Sequence, residues 1–179
     1  MPSRYRVPAG WLVGLLVALL ARPSLPWLAL GLPLALAGEA VRIWASGHIE
    51  KTRCLATGGP YAHSRNPLYV GSLLIALGVA AACASPWVLL AVGVYFLAFY
   101  PSVMREEAVF LEQKFPAEYA EWAAAVPLFW PRSGPGGPRR SRFEWARVRA
   151  NREWRTAGAL PLLAALLVAL PHLRRWLGA

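Results

Sequence analysis

The sequence predicts an all-α integral membrane protein, a bundle of about five transmembrane helices with its chemically loaded loop and helix on the cytoplasmic side. Three observations carry this. Hydrophobic residues make up 57% of the 179 and charged residues only 16%, against roughly 25% charged in a soluble domain. Five apolar stretches recur along the chain. The basic residues sort to one side of them.

A transmembrane helix needs roughly 17–25 mostly apolar residues. Val7–Ala21 is short but clean, and Leu25–Ala45 is longer. Leu68–Ala84 and Trp87–Met104 follow, parted only by Ser85-Pro86, and Ala157–Leu173 comes last. Arg4 and Arg6 ahead of the first stretch fit a signal peptide as well, but no small-x-small cleavage site precedes Arg22-Pro23 and four more spans follow. The chain divides into a core over 1–131, a basic Pro/Gly linker with an interfacial helix over 132–157, and a last span with its tail over 158–179.

Charge sets the orientation. With the N-terminus inside, the N-terminal arm, the Arg42–Arg65 loop and the Arg105–Arg155 stretch hold 16 of the 19 basic residues. Only Arg22, Arg174 and Arg175 remain outside, which is the asymmetry the positive-inside rule requires. A multi-pass protein of the cell membrane with a cytoplasmic N-terminus is expected. The net charge of +10 and pI near 10.6 point to anionic lipid as a partner. No basic helix interleaved with polar base-readers is present, so nucleic acid is not expected. No obligate protein partner is inferred.

Cys54 and Cys83 fall at opposite membrane faces, too far apart for a disulfide. Without a CxxC or a Cys/His cluster, no metal site is expected. His48, His63 and His172 are scattered and read first as polar interface residues. Glu39 and Arg42 lie one turn apart in the second span, placed to pair with each other or to serve a function there.

Two inner segments concentrate polar chemistry. Ser46–Gly71 contains Gly58-Gly59-Pro60, which breaks helix, and Asn66-Pro67, which forces an extended or turn conformation before the next span. A loop this polar at a membrane mouth satisfies its own backbone or lines a wet cavity. In Met104–Pro131, residues Val103, Glu107, Leu111, Phe115 and Tyr119 follow at i+4 steps and share one helical face. Glu107 therefore sits on the apolar stripe, and a carboxylate on a buried face needs a cation, a donor or a ligand; Arg105 and Arg65 are the nearby cations. Pro116 interrupts the pattern and is placed to split the helix.

No Walker loop, dinucleotide fingerprint, HExxH or GxSxG is present. Thr57-Gly58-Gly59-Pro60-Tyr61 followed by Arg65-Asn66-Pro67-Leu68-Tyr69-Val70-Gly71 resembles the G-x-Y…R-H-P-x-Y-x-G signature of membrane-embedded methyltransferases. These include the isoprenylcysteine carboxyl methyltransferases and the phospholipid methyltransferases. Arg105-Glu106-Glu107 with Leu111, Phe115, Tyr119 and Val126-Pro127 is similar to their E-E-x-x-x-L-x-x-x-F-G-x-x-Y…V-P motif. The resemblance covers about half the chain, from Arg42 to Pro131. It departs at Asn66, where the family has His, at Pro116, where it has Gly, and at Val103, where the prenylcysteine enzymes carry Arg.

The resemblance implies a cofactor pocket for S-adenosylmethionine (SAM), lined by Leu55, Ala56, Tyr61, Asn66, Pro67, Leu68 and Tyr69. Glu107 would be the cofactor carboxylate and His48 a further contact. Methyl transfer is an in-line displacement that depends chiefly on positioning. Tyr61 and Tyr69 offer π faces to a sulfonium or adenine. Arg65 or Arg105 would orient an anionic acceptor, and Arg105 and Glu106 are the catalytic candidates. An amine acceptor would need a base, for which Glu106 or His63 serves. The expected acceptor is lipid-like, a prenyl-thiol carboxylate or a lipid amine. A membrane reductase of the sterol reductase type, or a small non-catalytic membrane protein, are the alternatives. The basic stretch with Phe143, Trp145 and Trp154 reads as a lipid-surface anchor, or as a lid over the site.

Overall fold

The computed structural model describes residues 5–50, 54–134, 136 and 141–177. Arg4, Lys51, Arg53, Arg139 and Arg140 of the charge count lie outside these residues. Among the described residues the secondary structure is helical, with no strand. The helices are α1 (Arg6–Leu20), α2 (Leu25–Ser46), α3 (Pro67–Ala82), α4 (Pro86–Lys114), α5 (Pro116–Ala125), α6 (Trp145–Ala150) and α7 (Trp154–Leu177).

Each of the five apolar stretches is a helix. α2, α4 and α7 are long and apolar enough to cross a membrane, whereas α1 and α3 are apolar but shorter. Proline sets several starts: Pro67, Pro86 and Pro116 each occupy the first turn of their helix, where a missing N–H costs nothing. Pro116 does split the Glu-Glu helix, so α4 stops at Lys114 and α5 begins two residues on.

The tightest pair is α2 against α3, and small residues make it possible. A Cβ on Gly38 would lie 2.6 Å from the Gly71 carbonyl, and one on Gly78 would lie 2.5 Å from the Ala35 nitrogen. Gly31 and Gly78 approach as closely at the other end. Gly31 and Gly38 are seven residues apart on α2, as Gly71 and Gly78 are on α3, so each pair lies near one helical face. Backbone approach of this kind replaces the hydrophobic drive that a lipid solvent does not supply. The span pair is thereby fixed at its register, and the loop between α2 and α3 is held at one end of it.

Two apolar clusters sit at opposite ends of the bundle. One joins Ala21, Ala80, Cys83, Val88, Val92 and Leu167. The other joins Ala45, Leu55, Tyr61, Tyr119, Trp122 and Val126 beneath the polar loop. α4 has 29 residues and is therefore ~43 Å long at 1.5 Å per residue, more than the ~30 Å hydrocarbon core. Its final turns, with Glu106 and Glu107, project beyond the apolar region.

Of the two readings left open for Glu39 and Arg42, the mutual pair is not what the structure shows. Arg42 Nε donates to Glu153 Oε1 at 2.7 Å and Nη1 to Ser72 Oγ at 2.5 Å. Glu39 is buried, and neither carboxylate oxygen has a hydrogen-bond partner. Arg42 reaches across to α3 and the start of α7 because those groups face it across the bundle. Glu153 is 111 positions away in sequence, beyond the reach of any spacing argument.

Candidate functional site

The loop after α2 turns back on itself through a short 3-10 helix at Gly59–Ala62. Gly59 has φ +57° and a side chain there would collide with the His48 ring, so this turn requires glycine. His48 Nδ1 is paired with the Trp44 carbonyl at 2.9 Å, and its ring lies beside Phe143. It is buried behind the turn and is not in the wall of the cavity described below.

The stretch from Ala62 to Asn66 is knitted to the chain that follows α5. Arg65 N donates to Pro127 O at 2.9 Å, Arg132 N to His63 O at 3.0 Å and Gly136 N to Ala62 O at 2.7 Å. Ser64 Oγ donates to Phe129 O at 2.7 Å and Asn66 Nδ2 to Leu128 O at 2.9 Å. The two motif segments are thus halves of one hydrogen-bonded structure. Their common presence has a physical reason: each satisfies the other's backbone at the membrane mouth.

Between this loop and the α4–α5 bend lies a cavity of about 360 Å³, within the size range of small-ligand pockets. Leu55, Ala56, Tyr61, Arg65 and Leu68 line it from the loop side, with Ile49, Glu50 and Cys54. Glu107, Phe110, Leu111, Lys114, Phe115 and Trp122 line it from α4 and α5. Trp122 is fully buried, and its Nε1 donates to Tyr61 O at 2.9 Å. Burial pushes the Tyr61 phenol well above the usual range, and the nearby Glu107 carboxylate adds to the shift. It stays a neutral donor with an intact π face.

Four charged side chains, Glu50, Arg65, Glu107 and Lys114, line this cavity, and two of them bond tyrosine hydroxyls. Glu107 Oε2 accepts from the Tyr69 hydroxyl at 3.0 Å. Arg65 Nη1 donates to the Tyr119 hydroxyl at 2.8 Å, while its Nε is buried with no hydrogen-bond partner. An unpaired buried guanidinium N–H is costly.

The structure places several sequence-derived candidates differently from the expectation. Glu107 is exposed rather than buried. Its stripe does face the same way as Leu111 and Phe115, but that face opens on the cavity mouth, and its partner is Tyr69, not Arg105 or Arg65. Arg105 and Glu106 are exposed and outside the cavity lining, because they lie about 200° and 100° around the helix from Glu107. Asn66 spends its amide N–H on Leu128, and Pro67 lines a neighbouring apolar cavity with Trp44, His63 and Val70. His63 Nδ1 faces the Arg132 carbonyl at 3.2 Å. Glu50, Cys54, Phe110, Lys114 and Trp122 are cavity residues that no motif signalled; among them Phe110 and Trp122 carried a mark in the sequence, three residues after Glu107 and Tyr119 respectively.

The sequence profile of the phospholipid methyltransferases matches residues 29–118, half of the chain. The chain belongs to the phospholipid methyltransferase family. Over 105 residues it is 42% identical to the cobalt-zinc-cadmium resistance protein CzcN of Cupriavidus metallidurans. It is 34% identical over 105 residues to the nickel-cobalt-cadmium resistance protein NccN of Alcaligenes xylosoxydans xylosoxydans. Each match takes in 58% of this chain and 47% of the relative, so the chain spans about half the length of the curated relatives it matches. No solved structure matches the chain. Family membership and the three membrane-length helices together make this a membrane protein of a methyltransferase family.

Proposed function

We propose that the protein is a SAM-dependent methyltransferase acting on a lipophilic acceptor at the cytoplasmic membrane face. The observation that carries this is the presence, in the wall of one cavity, of the Glu107 carboxylate and the Arg65 guanidinium. That arrangement is complementary to the ammonium and carboxylate of an amino-acid moiety. The neutral Tyr61 phenol and the Trp122 indole add the apolar and π surface a sulfonium nucleoside needs. The residues present fit the group.

When bound, SAM supplies an electrophilic methyl. The chain's own residues do the rest by positioning. Tyr69 holds the Glu107 carboxylate through its hydroxyl, and Tyr119 holds the Arg65 guanidinium. Phe110, Leu111 and Phe115 keep water from the reacting centre. A carboxylate acceptor needs no base, and Arg65 and Lys114 are the cavity cations placed to orient it.

A second cavity supports a lipid acceptor. A groove of about 510 Å³ runs between α1 and α4, lined by Leu12, Leu16, Leu20, Leu90, Val94, Tyr95 and Phe99 among others. From its Tyr95 end a relay of rings leads inward. Tyr95 meets Tyr100 at 6.2 Å between centroids, Tyr100 meets Tyr69 at 5.4 Å, and Tyr69 bonds Glu107. On this reading the resistance named for the relatives comes to this chain through a methylated lipid. Among the described residues no three His, Cys, Asp or Glu side chains gather to hold a metal ion.

Glu107→Gln tests the assignment. Because Glu107 is exposed, loss of its charge should weaken SAM by about 1.5 kcal/mol, the low end for a hydrogen bond to a charged group. That is roughly tenfold in Kd. Unchanged calorimetric affinity in a folded Glu107→Gln protein would remove Glu107 from the cofactor site.

Orientation has its own test. The probe is a cysteine at Ala146, which is exposed on α6. In a Cys54→Ser background, Ala146→Cys should resist a membrane-impermeant thiol reagent in intact cells and react after lysis. Ready labelling of intact cells would place this side outside.

A further inference from the structure

Residues 141–155 follow the family match, and no part of the cavity wall belongs to them. They nevertheless brace the 46–58 turn that supports one side of it. Ser141 Oγ accepts from Gly58 N at 2.9 Å, and Glu144 N donates to Gly47 O at 2.9 Å. The Phe143 ring fills the space over Gly47, where a Cβ would collide with it. Arg147 Nη2 bonds Glu50 Oε2 at 3.0 Å. Asn151 Nδ2 donates to Ser46 O at 2.9 Å and to Ile49 O at 3.1 Å, and Glu153 takes Arg42. Ile49 and Glu50 are cavity residues, so the strap holds two of them directly.

The other face of the same segment is different. Arg142, Trp145, Arg149, Arg152, Trp154 and Arg155 are all exposed, with Trp145 at 67% and Trp154 at 60%. The acid on this segment's exposed side, Glu144, is already paired with Arg147 at 2.9 Å. Inner and outer residues alternate because the chain turns sharply at Arg152, whose φ is +59°, sending Glu153 inward between two exposed neighbours. α7 starts at Trp154 and is long and apolar enough to span the membrane, so this outer face lies where the bilayer surface begins. Exposed tryptophans flanked by arginines suit that depth, and an anionic surface attracts each Arg close to it.

We infer that segment 141–155 is a two-faced strap that couples the charge of the bilayer surface to the order of the cofactor cavity. Anionic lipid headgroups hold the outer arginines and tryptophans. The inner hydrogen bonds transmit that hold to the 46–58 turn, so the cavity wall is firm on an anionic bilayer and loose on a neutral one. This rests on the reading of the cavity as a cofactor site, but the device can be measured without cofactor. Cys54 lines the cavity and is partly accessible, whereas Cys83 is fully buried. The native thiol at Cys54 reports the state of the wall.

The experiment measures alkylation of Cys54 by neutral N-ethylmaleimide in nanodiscs of phosphatidylcholine alone or with one-third phosphatidylglycerol. Cys83 serves as the unfolding control. Wild-type Cys54 should react several-fold more slowly on the anionic bilayer. Arg149→Gln/Arg152→Gln/Arg155→Gln should lose that difference while feeling the same surface pH. Asn151→Ala should react several-fold faster on both bilayers, with Cys83 still silent. A wild-type rate indifferent to lipid charge, or equal to that of the triple variant on the anionic bilayer, overturns the coupling, as does an Asn151→Ala rate like wild type. Binding of labelled SAM to the same nanodiscs separates the two ideas. Lipid-dependent Cys54 without SAM binding would sink the methyltransferase reading and leave the strap standing.

Discussion

Trp122→Ala should destabilise the protein by about 4 kcal/mol and abolish SAM binding. Trp122 is the largest fully buried side chain among the described residues. Its removal empties a site for which Trp-to-Ala changes cost about 3–5 kcal/mol. It also strands the Tyr61 carbonyl, which now accepts from its Nε1. The ring packs against both tyrosines that shape the cavity, 6.4 Å from Tyr61 and 5.9 Å from Tyr119. Tyr119 in turn holds Arg65, so the loss propagates to the guanidinium proposed to meet the cofactor carboxylate. Trp122→Phe keeps most of the volume and loses the hydrogen bond, and should recover about half of the stability. Thermal unfolding in detergent, read beside calorimetric SAM binding, checks both. A Trp122→Ala protein as stable as wild type would show that the α5 contact does not support the cavity.

The apolar spans were legible because hydropathy over a long window is additive and needs no partner. The site was legible in part. Gly58-Gly59-Pro60 and Asn66-Pro67 announce a forced turn through backbone sterics alone. The i+4 stripe correctly grouped Glu107 with Leu111 and Phe115, since helical periodicity fixes which side chains share a face. Periodicity does not say what that face meets. Here it meets an open cavity mouth, which is why Glu107 is exposed and bonded to Tyr69 rather than buried against Arg105 or Arg65. The same geometry explains Arg105 and Glu106: adjacency in sequence is separation around a helix.

Contacts between distant segments left no local mark. Arg42 has Glu39 one turn away, yet its bond goes to Glu153 because tertiary placement decides which carboxylate is in reach. Asn66 stands where the family carries His, and its amide N–H serves the Leu128 carbonyl. Nothing in the spacing of Ser141, Arg147 and Asn151 revealed that a basic, linker-like stretch would brace the cavity loop. Its charge pattern showed only the half of it that faces outward.

The acceptor's tail should have the largest effect of any variable in the system. If the acceptor reaches the cavity from the bilayer along α1 and α4, its chain never leaves apolar surroundings. Each methylene kept out of water is worth roughly 0.8 kcal/mol. Eight added methylenes are then worth up to about 6 kcal/mol in KM measured against total aqueous acceptor, with kcat little changed because the reacting head is the same. The groove has room for such a chain, and the Tyr95–Tyr100–Tyr69 relay leads from it to Glu107. The measurement is an acceptor series with one head group and rising chain length, assayed in nanodiscs for both prenyl-thiol carboxylate and lipid amine heads. Widening Ala91 to Trp within the groove should flatten the chain-length dependence while sparing SAM affinity, since no cavity residue is altered. Equal turnover of a short water-soluble head and its long-chain analogue at equal low concentrations would refute access from the bilayer. A chain-length dependence untouched by Ala91→Trp would keep access from the bilayer and move its path off the α1–α4 groove.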